Sequence, residues 1–565
     1  MFGTYDVESS KPKGLEKEKH ILNTHFEVLG FFDGQEYKVF SGKTGIKDFL
    51  NHLNRKAYDG WTIYAHNAGH YDVLFLMDVV FNKYKVLNII PVGSSVIALK
   101  VDLGRSVVTF ADSYRLLPDK LEKVLLAFDS HYKKVAFDFE NDIVSIRDKT
   151  LMKHLQNDVL GLYQVLKEFE QSEYVVDGRL KLTIGSQMLD TFSKKFLHTE
   201  VQRIRFHDEE QFRKKFYSGG RVEVYKGKGV CNVYDVNSLF PYAMLGEMPI
   251  GKYAIVSAYM KGAIGFYEVE IKNVPDFYIP PFLVKTKKGN YYLNGEGRYY
   301  ISSLLYEHLK VEYGIKIKVL KGWIFKKSAP ILKEYVEHFY NIKKNSTGSR
   351  QLIAKYALNT LYGKFGQDRN KEVLKQLDSN LSNYAEWEND YGLVLCLEFN
   401  NSKMILPFIA AWITEVARFH HWKLMQEVGE ESIFYCDTDS IFTGRKMKTS
   451  DALGDVKDEG KHDCIFLAPK TYAIDDKVKF KGFDVRDISR SDIATMQPIT
   501  KVQTRLLSFR ECLNGRTKGV VDEQSPFLKL AKIQKTASIK YDKRKVYSSA
   551  KYGFNTSPFG RKDIV

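Results

Sequence analysis

At 565 residues, with 44% apolar and 14% aromatic side chains, the chain is long enough for more than one buried core and too apolar to be disordered. It has no run of 18 uncharged apolar residues (Val73–Phe81 is short and holds Asp78), no apolar leader behind MFGTYDVESSKPKG, and five cysteines without a CxxC pair, which argues against a membrane span, a secretory signal, a disulfide framework and a thiolate metal centre. The net charge is +16, and residues 501–565 hold 15 Lys/Arg against 5 Asp/Glu, so the basic excess sits mostly at the C-terminal end, where Phe509, Phe527, Tyr541, Tyr547, Tyr552 and Phe554 interleave with it and suit a polyanionic partner.

Residues 1–165 alternate strand-like runs (Trp61–Ala65, Ser106–Ala111) with helical ones (Lys120–Ala127, Leu151–Phe169). Period-two alternation puts Asp6 and Glu8 of TYDVE on one face of a strand. Asn67 and Asp72 follow a strand in YAHNAGHYD, and the i, i+4 pair His154 and Asp158 shares a helix face. Four carboxylates from three separated elements suit divalent cations around a phosphodiester. Taken alone, DVE and HLQND are ordinary surface.

A second α/β unit opens near Gly229. Its apolar strand GVCNVYDV ends at Asp235 and Val236, and SLFP is expected to turn the chain, with Ser238 and Leu239 offering backbone N–H groups. Residues 331–362 are predicted helical. Lys355, Asn359 and Tyr362 fall at i, i+4 and i+7, which puts a cation, an amide and a ring on one face, as a nucleoside triphosphate requires. Gly363 is expected to end that helix or admit a template strand, and Lys343 to give a second phosphate contact. A strand–turn–strand pattern around Phe434–Phe442 places Asp437 and Asp439 at a hairpin tip, where with Asp235 they suit Mg²⁺ and substrate phosphates. The stretches 255–325 and 366–403 are rich in Tyr, Asn and Gly, without long helical periodicity.

In this order the segments resemble the family B DNA polymerase motifs Dx2SLYP, Kx3NSxYG and YxDTDS, with Phe240 for Tyr and Thr360 for Ser. Upstream they resemble the DEDD exonucleases, with His154 where Tyr is expected. The resemblance is closest to the protein-primed branch and covers nearly the whole chain. Tyr217, Gly219 and Gly220 of YSGG are similar to its YxGG linker, which grips the template. Ser113, in the segment Asp112–Pro118, matches its single-strand contact, with Tyr114 replacing Leu. Thr414 and Arg418 are similar to its Tx2AR template contact, and Lys470 and Tyr472 to its KxY primer contact.

The resemblance implies an α/β multidomain fold: an RNase H-like 3′→5′ exonuclease (1–190), a connector (191–228), a palm (229–254 and 404–500), TPR1-like and TPR2-like insertions (255–330 and 366–403), fingers (331–365) and a basic thumb (501–565). It implies two Mg²⁺ per active site, with Mn²⁺ as the substitute, held by Asp235, the Val236 main chain and Asp439, and by Asp6, Glu8, Asp72 and Asp158. Phe240 would lie under the incoming sugar. Implied partners are primer–template DNA, dNTPs and a terminal protein, with a single-strand-binding protein as an optional one and no membrane; the setting is the host cytoplasm, or mitochondria for a plasmid-borne copy. The alternatives are an RNA-primed family B polymerase and a catalytically silent DNA-binding protein of a mobile element. A reverse transcriptase or RNA polymerase shares the paired palm aspartates but not the exonuclease set.

Overall fold

Strand Phe2–Ser10 is buried along nearly its whole length, as a central strand covered on both faces must be. It pairs parallel with Thr62–Ala65 and antiparallel with His25–Phe32, inside a nine-stranded mixed sheet. The computed structural model describes residues 1–10, 24–139, 144–376, 392–481, 485, 488–513, 518–525, 528–537, 543–546 and 555–564. Helix Lys149–Gln171 lies across the first strand; Asp148 caps it, accepting from the N–H groups of Thr150 and Leu151 at 2.8 and 3.0 Å. The predicted elements of this half appear within two residues of their expected bounds.

The second insertion departs from expectation. Asn370–Gln376 and Leu393–Phe399 form a hairpin that joins the edge of the nine-stranded sheet, Leu374 pairing with Ile89. Leu374 and Leu393 are buried in the core of that sheet, so the hairpin's base is part of the N-terminal domain. Residues 377–391, between its strands, lie outside the described residues.

Seven antiparallel strands make the palm, with Lys228–Val236 at the centre, between Val456–Ala468 and Ser440–Thr443. Helix Pro407–Val428, begun by a proline in its first turn, is buried behind them. The stretch expected to be continuously helical is two helices, Lys333–Asn345 and Gly348–Phe365. The first insertion is a four-stranded sheet with a hairpin, Phe282–Thr286 and Gly289–Leu293. It also holds a helix absent from the sequence reading, Ser303–Tyr313, delimited by an Ser302 cap and by Gly314 at φ 62°.

The basic C-terminal region is not one solvated arm. Its three-stranded sheet starts at Ile499, and Phe509 is buried in the N-terminal core, with its N–H donating to Gly93 O at 3.1 Å. The final strands, Arg544–Val546 and Thr556–Pro558, return to the palm edge. There the buried Arg544 donates to Tyr278 O (2.8 Å) and Thr556 O (3.0 Å) and lies over the rings of Tyr225 and Tyr278. Phe527, Tyr541, Tyr547, Tyr552 and Phe554 lie outside the described residues. All five cysteines are free thiols, and among the described residues no helix is long and apolar enough to cross a membrane.

Candidate active sites

Asp235 stands one residue from the end of its strand, paired across the sheet with Ser440. The neighbouring hairpin turns at Thr438, a non-glycine residue at φ 65°. Val236 N–H donates to Asp439 O at 2.8 Å, which fastens the hairpin tip to the strand end. Burial and then Asp439 push the Asp235 carboxyl up to about 6; Asp439 is raised by burial, with Asp437 adding to it. Half-buried carboxylates raised by burial and by a neighbouring carboxylate are groups a divalent cation would relieve. Among the described residues no three His, Cys, Asp or Glu side chains are arranged to hold a metal by themselves. An ion on Asp235 and Asp439 would therefore take its remaining ligands from main-chain oxygen and substrate phosphates, which is the habit of Mg²⁺; the Val236 side chain is buried, so only its main chain could serve.

Asp437 is already engaged: Lys470 Nζ lies at 3.0 Å, Thr438 Oγ1 at 3.1 Å and Tyr435 Oη at 3.3 Å. Tyr472 packs half-buried beside the Tyr435 ring at 5.4 Å. Helix Gly348–Phe365 presents Lys355 and Asn359 exposed and Tyr362 half-buried. The Lys355 charge acts on both Asp235 and Asp439. Lys343 Nζ donates to Ser238 Oγ at 2.8 Å, its ammonium held low by burial and by Lys355. Tyr362 stacks on Phe240, with centroids 4.3 Å apart and planes at 13°.

Two local expectations are corrected. The chain turns at Ser238, at φ 55°, and Leu239–Met244 is already helix with Leu239 in the core, because Pro241 fits a first helical turn. Gly363 does not end its helix, which runs to Phe365; a Cβ there would meet no atom within 4 Å.

The YSGG loop is braced from three sides. Lys285 Nζ donates to Tyr217 O at 2.7 Å, Asn290 Nδ2 to Ser218 Oγ at 3.3 Å, and Arg418 to Ser218 O and to Gly219 O, the latter at 3.3 Å. A Cβ on Gly220 would stand 2.7 Å from Thr438 Cγ2, and Thr438 N–H donates to Arg221 O at 2.8 Å, so this loop holds the Asp437–Asp439 hairpin tip. Thr414 and Arg418 are not presented for direct template contact: both are buried, Thr414 Oγ1 bonds Ala411 O at 3.1 Å, and Arg418 pairs with Glu415 at 2.5 Å. Ser113 is likewise buried, bonded to Ala65 O at 3.1 Å and His66 Nδ1 at 3.0 Å. The exposed neighbour is Tyr114.

The charges of the second carboxylate set act on one another, although among the described residues its side chains too are not arranged to hold a metal by themselves. Asp6 and Glu8 project from the first strand, Asp72 opens helix Asp72–Lys83 with its Oδ1 accepting from Val7 N–H at 2.9 Å, and Asp158 lies on the long helix. Burial raises Asp6 well above the carboxylate range, with Asp72 and Glu8 adding to it. Burial raises Asp72 to about 7, and burial with Asp158 raises Glu8 to about 8. His154 Nε2 lies 3.4 Å from Glu8 Oε1 and 3.5 Å from Asp158 Oδ2, while Nδ1 bonds Val135 O. Asn67 is exposed in a left-handed turn at φ 62°.

Sequence reasoning missed Lys134, whose ammonium bonds Asp158. Burial opposes its charge, but Asp158, Asp6 and Glu8 outweigh burial and raise it. It sits in an irregular segment that no periodicity marks. The braces Lys285 and Asn290 were missed for a related reason, since their partners are main chain and linker.

Residues 54–145 and 144–392 match the family described as DNA polymerase type B, organellar and viral. A protein of Podospora anserina named probable DNA polymerase is 24% identical over 84% of this chain and 51% of its own length. One of Neurospora intermedia is 24% identical over 89% of this chain and 61% of its own. The chain thus spans little more than half of these fungal relatives. The DNA-directed DNA polymerase of Enterobacteria phage PRD1 is 27% identical over 83% of both chains. Phi29 DNA polymerase, solved with primer–template DNA and incoming nucleotides, superposes with a TM-score of 0.73 over 95% of this chain and 100% of that one, at 19% identity. The mixed α/β multidomain fold is shared over nearly the whole length of both chains.

Proposed function

This chain belongs to the organellar and viral type B DNA polymerases, and on that premise we propose that it is a template-directed DNA polymerase with a proofreading 3′→5′ exonuclease, able to start on a protein primer and to displace a downstream strand. The observation that carries the reading is the Asp235–Asp439 pair, set side by side at the sheet's end with Lys355 and Lys343 on the facing helices.

A pair of Mg²⁺ ions, or Mn²⁺ in their place, would acidify the primer 3′-hydroxyl and neutralise the leaving pyrophosphate when bound at Asp235, Asp439 and the Val236 main chain. Lys355 and Lys343 then hold the triphosphate, and Lys343 frees Ser238 as it does so. The stacked Phe240 and Tyr362 form the platform under the sugar and the nascent pair. Lys470 keeps Asp437 neutralised, and Gly219, Gly220 and Tyr217 form the template track that Arg418 and Thr414 support from behind. In the exonuclease centre Asp6, Glu8, Asp72 and Asp158 would hold the ions. His154 Nε2 faces the position of an attacking water, Asn67 and Tyr114 flank the entering strand, and Lys134 turns from Asp158 to the scissile phosphate.

The partners in this reading are primer–template DNA, dNTPs and a terminal protein, with a single-strand-binding protein as an accessory. The setting is the host cytoplasm or mitochondria, wherever the linear element replicates. The test is oligonucleotide extension beside deoxynucleotide transfer to the element's terminal protein, both in Mg²⁺. Both should occur; extension without transfer would remove protein priming and leave the polymerase.

A further inference from the structure

Gly30 lies inside strand His25–Phe32, where a glycine costs stability and marks a close approach. What approaches is the hydroxyl of Tyr37: a Cβ at Gly30 would stand 2.7 Å from Tyr37 Oη and 3.0 Å from Leu155 Cγ. Gly30 is the cross-strand partner of Asp6, as Val28 is of Glu8, so the notch opens on the face from which both carboxylates project. Tyr37, opposite Phe32 on the next strand, reaches diagonally into it. The ring packs among Val28, Leu155 and Phe137, which a phenylalanine would do equally well. The hydroxyl is buried and has no hydrogen-bond partner among the described residues, an arrangement proteins rarely leave without a use. Burial, and then Asp6 and Glu8, raise the phenol, so both carboxylates lie within its electrostatic reach. His154 supplies no hydroxyl from the long helix, and Tyr37 is a phenol delivered to the same notch as Leu155 of that helix.

Resting on the exonuclease reading above, we infer that Tyr37 is a positioning residue of that centre, its hydroxyl donating to the Asp6 carboxylate directly or through one water and fixing which oxygen Asp6 turns to the cation. Outer partners of this kind set metal affinity as well as rate.

The test uses the full chain carrying Asp235→Ala, so that Mn²⁺ bound in electron paramagnetic resonance titrations reports the exonuclease centre. Added Tyr37→Phe should leave the melting temperature in place, weaken Mn²⁺ binding roughly tenfold, and raise the Mg²⁺ midpoint for degrading a labelled single strand by a similar factor. Gly30→Ala, which crowds the hydroxyl without removing it, should shift both readouts the same way and carries the test if Tyr37→Phe does not fold. An active parent matched by both variants in binding and midpoint overturns the inference alone. A folded parent that leaves the strand intact overturns the exonuclease reading, and the inference with it.

Discussion

Phe240 meets Tyr362 ring to ring at 4.3 Å and is half-buried. A ring excludes a 2′-hydroxyl by bulk, so loss of the phenol oxygen relative to tyrosine should leave sugar selection in place. Phe240→Val should raise ribonucleotide incorporation by orders of magnitude, while Phe240→Tyr changes it little, in steady-state kinetics with matched dNTP and rNTP. Equal loss with both sugars would make Phe240 packing only. The carboxylates allow a second test. Asp235, Asp72 and Glu8 titrate near 6, 7 and 8, above the roughly 4 of an unfolded chain. Their protonated forms favour the fold fully below that unfolded value, and this contribution is lost as pH rises through 6 to 8. Mg²⁺ binds the ionised forms, so its gain in melting temperature should be small at pH 5 and several degrees larger at pH 8; a pH-independent gain would contradict the assignment. The carboxylates were legible because strand and helix periods put them on shared faces. Lys134 was not, since its segment has no period and its partners are distant in sequence.

The Asp437–Asp439 hairpin illustrates what an element can and cannot reveal. YCDTDSIF announces a turn, but the positive φ of Thr438 and its bond to Arg221 O depend on the YSGG loop far upstream. The second insertion is sharper still. Its two strands take their place at the edge of the nine-stranded sheet through the pairing of Leu374 with Ile89, which local alternation cannot disclose. The consequence is experimental. Removing residues 366–403 would strip Leu374 and Leu393 from the N-terminal core and lower stability by several kcal/mol. Replacing only 377–391 with a short Gly/Ser turn should keep the fold and gap filling while halting synthesis at a downstream duplex. Readthrough of a duplex block by that variant would remove the insertion from strand displacement.

Over the whole molecule, the positive excess foreseen as a nucleic-acid surface divides into two populations. Arg544 is consumed internally, and Arg510 pairs with Glu372 at 2.6 Å, while Lys532 on the C-terminal sheet and Lys518 in the turn before its strand Val520–Ser525 stand exposed. Lys518→Glu with Lys532→Glu should therefore weaken duplex binding and flatten the slope of log affinity against log salt by about 1 to 2. An unchanged slope would show that these lysines are only solvated. Truncation near Ser525 is a poorer test, since it also removes Arg544 and Thr556 from the palm edge.

The central claim is that one chain holds two separate carboxylate centres with opposed chemistries. The most direct measurement follows a 5′-labelled primer on its template in Mg²⁺, with and without dNTPs, for Asp235→Ala and for Asp6→Ala with Glu8→Ala. The first variant should shorten the primer and never extend it; the second should extend it and never shorten it. A folded Asp235→Ala variant that still extended the primer, or either variant losing both activities, would contradict the two-centre account.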